Sequence, residues 1–131
     1  RALKVSGKIK FMRDPTRGGL AATLNEMAAG SGWGILIEEK KIPVKEEVKA
    51  LTELLGFDPL YLANEGKVVL VVNSEDAERV CERMRGHKLG KDSRIIGEIV
   101  AGPRGKVGLK TLVGGTRIVD MPVGEQLPRI C

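Results

Sequence analysis

The chain ends in a cysteine. Cys131 closes the run Leu127-Pro128-Arg129-Ile130-Cys131, and Gly124, Pro122 and Pro128 in the same stretch resist helix and sheet. A thiol at the tip of such an arm suits a carrier that leaves its own domain to visit another site; the plainer use is an unpaired thiol with no role. A second set of reactive types lies near the start, in Arg13-Asp14-Pro15-Thr16-Arg17-Gly18-Gly19. If a helix opens there, its first amides and positive end favour an anion. Gly18 and Gly19 let a ligand approach the backbone, and Arg13 and Arg17 add fixed charge with paired donors. Asp14 is placed to orient an arginine or to assist a metal-bound nucleotide. Read from spacing alone, the same run is equally a capped helix with an exposed ion pair.

These residues need elements to hold them. Pro15 and the potential cap Thr16 predict a helix over 15–30, with Leu20, Ala21, Leu24, Met27 and Ala28 on one face and Gly30-Ser31-Gly32 as its end. A strand is expected from Gly34 to Glu39. A second amphipathic helix runs from Lys45 to Leu55, with Val44, Val48, Leu51 and Leu55 in register and Gly56 as its stop. Residues 57–66, including Asn64-Glu65-Gly66, read as irregular. Val68 to Val72 reads as a strand buried on both faces. Ser74 is expected to cap a third helix reaching Arg85, with Glu75 and Asp76 at its positive end. A strand over 94–101 and a hairpin around Gly114-Gly115 follow. The order predicts an α/β or α+β fold, helices packed on a mixed sheet, over residues 1–121. Residues 122–131 are expected to form a flexible tail; the chain's last eleven residues reach about 35–40 Å if extended.

The 131 residues suffice for one domain with a real core, and aromatics at 3% leave that core to Ile, Leu, Val and Ala. No apolar run is long enough to span a bilayer, and no signal peptide is seen. The net charge of +5 is uneven: 10 basic and 9 acidic groups in residues 1–65, 12 and 8 in 66–131. A basic second half suits an acidic partner or a solvated surface, but aromatics interleaved with basic residues are missing, so nucleic acid is not expected. Cys81 shares a helical face with Ala77, Val80 and Met84 and is expected in the core. His87 is expected at the surface. One histidine and two distant cysteines make no metal site and fit a reducing cytoplasm. The opening Arg1-Ala2-Leu3-Lys4-Val5 lacks Met and meets the arginine–glycine run almost at once, which points to a piece of a longer protein.

Two motifs together narrow the reading. Phe11 to Ala21 with Asn25-Glu26, and the ending from Met121-Pro122 to Pro128-Arg129-Ile130-Cys131, strongly resemble the HypE family of hydrogenase expression/formation proteins. The resemblance covers essentially the whole chain but only the C-terminal half of such a protein. It implies an α/β/α sandwich of the AIR synthase-related (PurM-like) C-terminal type. The ATP site and homodimer interface would lie mostly in an N-terminal domain absent from this chain.

The resemblance also implies a reaction. The terminal cysteine accepts a carbamoyl group from the HypF carbamoyltransferase. ATP, with Mg2+, drives dehydration of the S-carbamoyl group to a thiocyanate. The cyano group then passes to iron held by the HypC–HypD complex, toward a [NiFe]-hydrogenase. Cys131 would be the carrier, and Arg13, Asp14, Thr16, Arg17, Gly18, Gly19 and Asn64 would serve nucleotide and phosphate binding. Glu65, which matches a glutamate of the family pattern, would be the base; otherwise it is an ordinary turn residue. The 131 residues alone are expected to fold without dehydrating their own tail efficiently. The rivals are the other ATP-dependent AIR synthase-related enzymes, namely purine-biosynthesis synthetases, selenophosphate synthetase and thiamine-monophosphate kinase. A non-catalytic protein-interaction module is the rival of another class.

Overall fold

In the computed structural model, residues 9–15, 17–63 and 66–121 are described. The first element is one the sequence reading omitted. Ile9–Arg13 forms strand β1 and pairs antiparallel with β3 (Val69–Val72), with Phe11 opposite Val71 and Arg13 opposite Val69. The hydrophobic run at 68–72 is therefore half-buried in a two-stranded ribbon, not buried on both faces, and Val68 is 40% exposed.

The remaining strands make a mixed four-stranded sheet in the order β4-β2-β5-β6. Here β2 is Gly34–Glu38, β4 is Gly97–Val100, β5 is Val107–Lys110 and β6 is Thr116–Ile118. Parallel pairing of β2 with β5 is flanked by antiparallel β2–β4 and β5–β6 pairs. The expected strand at 94–101 is shorter, beginning at Gly97. The hairpin around Gly114-Gly115 is present, closed by Thr111 N donating to Gly115 O at 2.7 Å.

Helix α1 spans Gly19–Ser31 and lies across β2 and β5. Its Ala21, Leu24 and Ala28 pack with Ile35, Ile37, Val107, Leu109 and Val119 in one core. This is the apolar face read from the 3.6-residue period. Small alanines at the contact let helix and sheet approach closely, and the β-branched residues facing them suit a pleated surface. The helix ends where expected, with Gly32 in the left-handed region (φ 74°) and its N–H donating to Ala28 O.

Two further helices depart from the expected detail. Helix α2 (Glu46–Leu55) turns Thr52 inward, its hydroxyl donating to Val48 O at 2.9 Å and Lys49 O at 3.0 Å. The predicted stripe is left largely outside, with Leu51 at 56% and Leu55 at 52% exposure. Helix α3 (Ser74–Arg85) has Asn73, not Ser74, at its cap position, with no side-chain cap bond. Cys81 is buried as expected and donates to Ser93 O. His87 is half-buried rather than fully at the surface; its Nδ1 accepts from Leu89 N.

Candidate functional site

The arginine–glycine run joins β1 to α1, and its geometry differs from a simple cap. The helix begins at Gly19, three residues beyond Thr16. Gly18 holds the cap position in the left-handed region (φ 73°), and no side chain caps the helix. Gly19 is also left-handed (φ 65°) and buried. A Cβ there would lie 2.4 Å from Leu62 O and 2.7 Å from Leu60 O. The close approach that Gly19 permits in this structure is to the protein's own backbone, at the 3-10 turn Pro59–Tyr61. That packing overrides the local cue of Pro15-Thr16 and fixes where the helix starts.

No acidic residue occupies the first turn of α1, an arrangement that leaves its positive end without a carboxylate of its own. Arg13, Asp14 and Arg17 are exposed around it. The carboxylate that holds Arg13 is Glu26, two turns along α1, through Nη1 and Oε2. Both side chains are about half exposed, so the pair contributes at most about 1 kcal/mol to folding. The exposed ion pair considered from sequence is therefore present, beside a helix start suited to an anion. Thr16, Asn64, Glu65 and Cys131 lie outside the described residues.

Contacts unforeseen in the sequence tie this region to the end of the fold. Asn25 on α1 donates to Ala21 O at 2.8 Å and to Val119 O at 2.9 Å. Tyr61 donates its hydroxyl to Asp120 O at 2.9 Å. Arg117 pairs with Asp58 at 3.0 Å, while the same carboxyl group accepts from Leu60 N and shapes the 3-10 turn. An open cleft of about 650 Å³ lies alongside, bordered by Asn25, Glu26, Lys106, Ile118, Asp120 and Met121. These partners are up to 94 positions apart, so no local spacing announces them.

The Tyr61 phenol is raised above its ordinary value, first by burial and then by the carboxylates of Asp58 and Asp120, with Arg117 opposing. A raised acid is protonated in the fold over a wider pH range than in the unfolded chain. Its share of stability is present below about pH 10 and is lost as pH rises through the folded value. Tyr61 is the chain's one tyrosine. Ultraviolet phenolate titration of these 131 residues should therefore give a single midpoint above about 10. A midpoint at or below that value would contradict the partial burial of the Tyr61 ring.

Among the described residues, no group of three or more His, Cys, Asp or Glu side chains is placed to hold a metal ion. Among them, too, no helix is long and apolar enough to cross a membrane.

Comparison with known proteins gives this geometry a family. Residues 1–110 match the family model described as AIR synthase related protein, C-terminal domain. Carbamoyl dehydratase HypE of Cupriavidus necator is 51% identical over 129 residues, which is 98% of this chain and 37% of that protein. A solved HypE–HypF complex contains a chain 49% identical, with a TM-score of 0.87, covering 92% of this chain and 39% of that one. The hydrogenase maturation protein HypE solved in complex with ATP is 42% identical, with a TM-score of 0.88, over 95% of this chain and 38% of that one. The 131 residues thus span under two fifths of the length of these relatives. With identity near one half from end to end and the same fold, the chain belongs to the HypE family of AIR synthase-related proteins, as their C-terminal domain.

Proposed function

We propose that these residues are the part of a HypE-type hydrogenase maturation protein that bears its cysteine carrier and a share of its nucleotide site. The observation that supports this most is the β1–α1 junction. There Arg13 and Arg17 are exposed beside a helix start that carries no acidic residue in its first turn, in a chain that also carries Cys131. The relatives supply the ligand classes: one HypE is solved with ATP and another with HypF.

In the reaction we propose, the Cys131 thiolate attacks the carbonyl of an activated carbamoyl group delivered by a HypF-type enzyme. A C–S bond forms and the donor's leaving group departs. The amide oxygen of the S-carbamoyl group is a poor leaving group, so it first takes the γ-phosphoryl group of ATP, releasing ADP. Loss of phosphate and of the two N–H protons then leaves a thiocyanate. Phosphoryl transfer depends chiefly on positioning and charge. Arg13, held by Glu26, with Arg17 and the amides at Gly18 and Gly19, would stabilise charge developing on the phosphoryl oxygens. Asp14 lies in the same loop, and Asn64 with Thr16 would complete the polar contacts. Glu65 would accept an N–H proton; it follows the Leu60–Leu62 segment against which Gly19 packs.

The described residues fit phosphate better than a metal. Asp14 is the one carboxylate in the loop, which does not make a Mg2+ site, and no step here is assigned to that ion. The cyano group would pass to iron on a HypC–HypD complex, and a reducing cytoplasm would keep the carrier thiol free. The test is the complete protein with a HypF-type carbamoyltransferase, isotopically labelled carbamoyl phosphate and ATP. Label should appear on the C-terminal peptide, followed by the infrared band of a thiocyanate. Label that never reaches this peptide overturns the reading. The 131 residues alone are expected to bind ATP weakly in a calorimetric titration, because most of a HypE lies outside them; tight binding would refute this.

A further inference from the structure

The 3-10 turn Glu39–Lys41 follows β2, and Glu38 at the end of that strand lies opposite Lys110 at the end of β5. The parallel pair therefore brings lysines from both strands to one end of the sheet. Beside this turn an open cleft of about 270 Å³ is lined by Lys40, Lys41, Arg85, Arg94, Glu78 and Ile95. Four cations accompany one carboxylate there, and all four are exposed. Lys41 is engaged by Glu38, and Arg85 donates from Nε to Ser93 O at 2.8 Å. Among the described residues, Lys40 and Arg94 take part in no ion pair. The Glu38 carboxyl lies below its ordinary range, first through its bond to Lys41, with desolvation opposing and the charges of Lys41, Lys40 and Lys110 adding. The tip of the β5–β6 hairpin is tied to the same turn, because Leu112 N donates to Glu39 Oε2 at 3.1 Å. That tip presents Leu112 at 63% and Val113 at 95% exposure.

We propose that this end of the sheet is a docking surface for an acidic segment of a partner protein, which sets its carboxylates on Lys40 and Arg94 and an apolar side chain on Val113. The inference rests on neither the carrier nor the nucleotide reading, since it uses no residue of either. An apolar contact rimmed by charged groups is the common anatomy of a protein interface. The basic excess of residues 66–131, to which Arg85, Arg94 and Lys110 belong, has no part in the reaction proposed above. Nucleic acid fits the cleft less well. The chain's aromatics, Phe11, Trp33, Phe57 and Tyr61, are all absent from its lining, so nothing there stacks a base. Glu78 would also repel a continuous run of phosphates, whereas the carboxylates of a peptide are spaced individually. A free small anion gains little from one exposed cation in water, while a segment sums several weak pairs.

The test titrates the complete protein with a fluorescein-labelled peptide of repeated Glu-Asp-Leu, read by fluorescence anisotropy at about 0.1 M salt, where charges beyond roughly 10 Å are screened. Wild type should bind, and more weakly as salt rises. Lys40→Gln combined with Arg94→Gln should raise Kd roughly 2- to 30-fold, as two exposed pairs are lost. Val113→Ser should raise it roughly 2- to 10-fold through lost apolar contact. Lys45→Gln combined with Lys49→Gln removes the same charge from residues outside the cleft and should change Kd by less than about 2-fold. Arg85 is kept, because it holds Ser93 O. Melting temperatures should not move, since every substituted side chain is exposed. Absence of binding by the wild type overturns the proposal. So does an unchanged Kd in either the Lys40–Arg94 or the Val113 variant, and so do equal losses in the two doubly substituted proteins, which mark net charge alone. A single-stranded oligonucleotide that binds more tightly than the peptide, and weakens with Lys40→Gln and Arg94→Gln, overturns it in favour of nucleic acid. None of these results bears on thiocyanate formation, so the reading of Cys131 stands or falls separately.

Discussion

Replacing Cys131 with alanine in the complete protein is expected to abolish carbamoyl acceptance and thiocyanate formation altogether. The reason is stoichiometric: in the proposed reaction the sulfur is the atom to which the carbon is bonded, so no neighbouring group can act in its place. Serine in that position should fare hardly better, because an alkoxide is far less accessible than a thiolate at neutral pH. Melting temperature and ATP affinity should stay at wild-type values, since the substitution removes one sulfur and leaves the core that α1 forms with β2 and β5 untouched. Mass spectrometry of the C-terminal peptide measures the acceptance, and the nitrile stretch measures the product. Persistent labelled product in Cys131→Ala would place the carrier elsewhere. Within these 131 residues Cys81 would be the remaining thiol, and it is buried and bonded to Ser93 O.

What was legible from the sequence was mostly local. Gly32 and Gly56 stop their helices in left-handed conformations, as their positions after amphipathic runs implied. The face of α1 buried against the sheet is the one its periodicity names. The β5–β6 hairpin follows from its two glycines. Long-range pairing was not legible. Strand β1 is a short run whose partner lies nearly sixty residues away, and five residues give period-2 alternation little room to show. A continuous apolar run such as 68–72 reports a strand but not how many faces it buries. The stripe on α2 is a related case: it shows that a face wants cover without showing what provides it.

The site follows the same division. Residue types told that the run at 13–19 suits an anion. They could not tell that Glu26 would hold Arg13, since a separation of thirteen residues matches no helical neighbour rule. Nor could they tell that Tyr61 reaches Asp120 across 59 residues. Gly19 announces a need for closeness, and the group that comes close in the fold is the backbone of residues 60–62. A glycine reports missing bulk and permitted dihedrals, and the identity of the approaching group is a tertiary fact.

Gly19 gives the second large effect. Gly19→Ala should destabilise the domain by about 2–5 kcal/mol, combining about 1–2 for a left-handed residue with a Cβ and about 1–3 for the collision with packed backbone. In a domain of this size the melting temperature should drop by roughly 8–20 °C. The colliding atoms are Leu62 O at 2.4 Å, Leu60 O at 2.7 Å and the Tyr61 carbonyl carbon at 2.9 Å, and none can turn aside as a side-chain tip would. Their turn is fixed by buried Leu60, by the Asp58 cap and by the bonds to Arg117 and Asp120. Gly32→Ala is the control. Gly32 has a similar dihedral, φ 74°, at the other end of α1, but a Cβ there meets nothing within 4 Å. It should cost only about 1–2 kcal/mol, the dihedral part alone. Thermal denaturation of the two variants side by side separates the contributions. Equal losses would mean that backbone conformation, and not the contact with residues 60–62, makes glycine necessary at the start of α1. The larger loss expected for Gly19 would instead establish that the helix start beside Arg13 and Arg17 is set by the turn that also bonds Arg117 and Asp120.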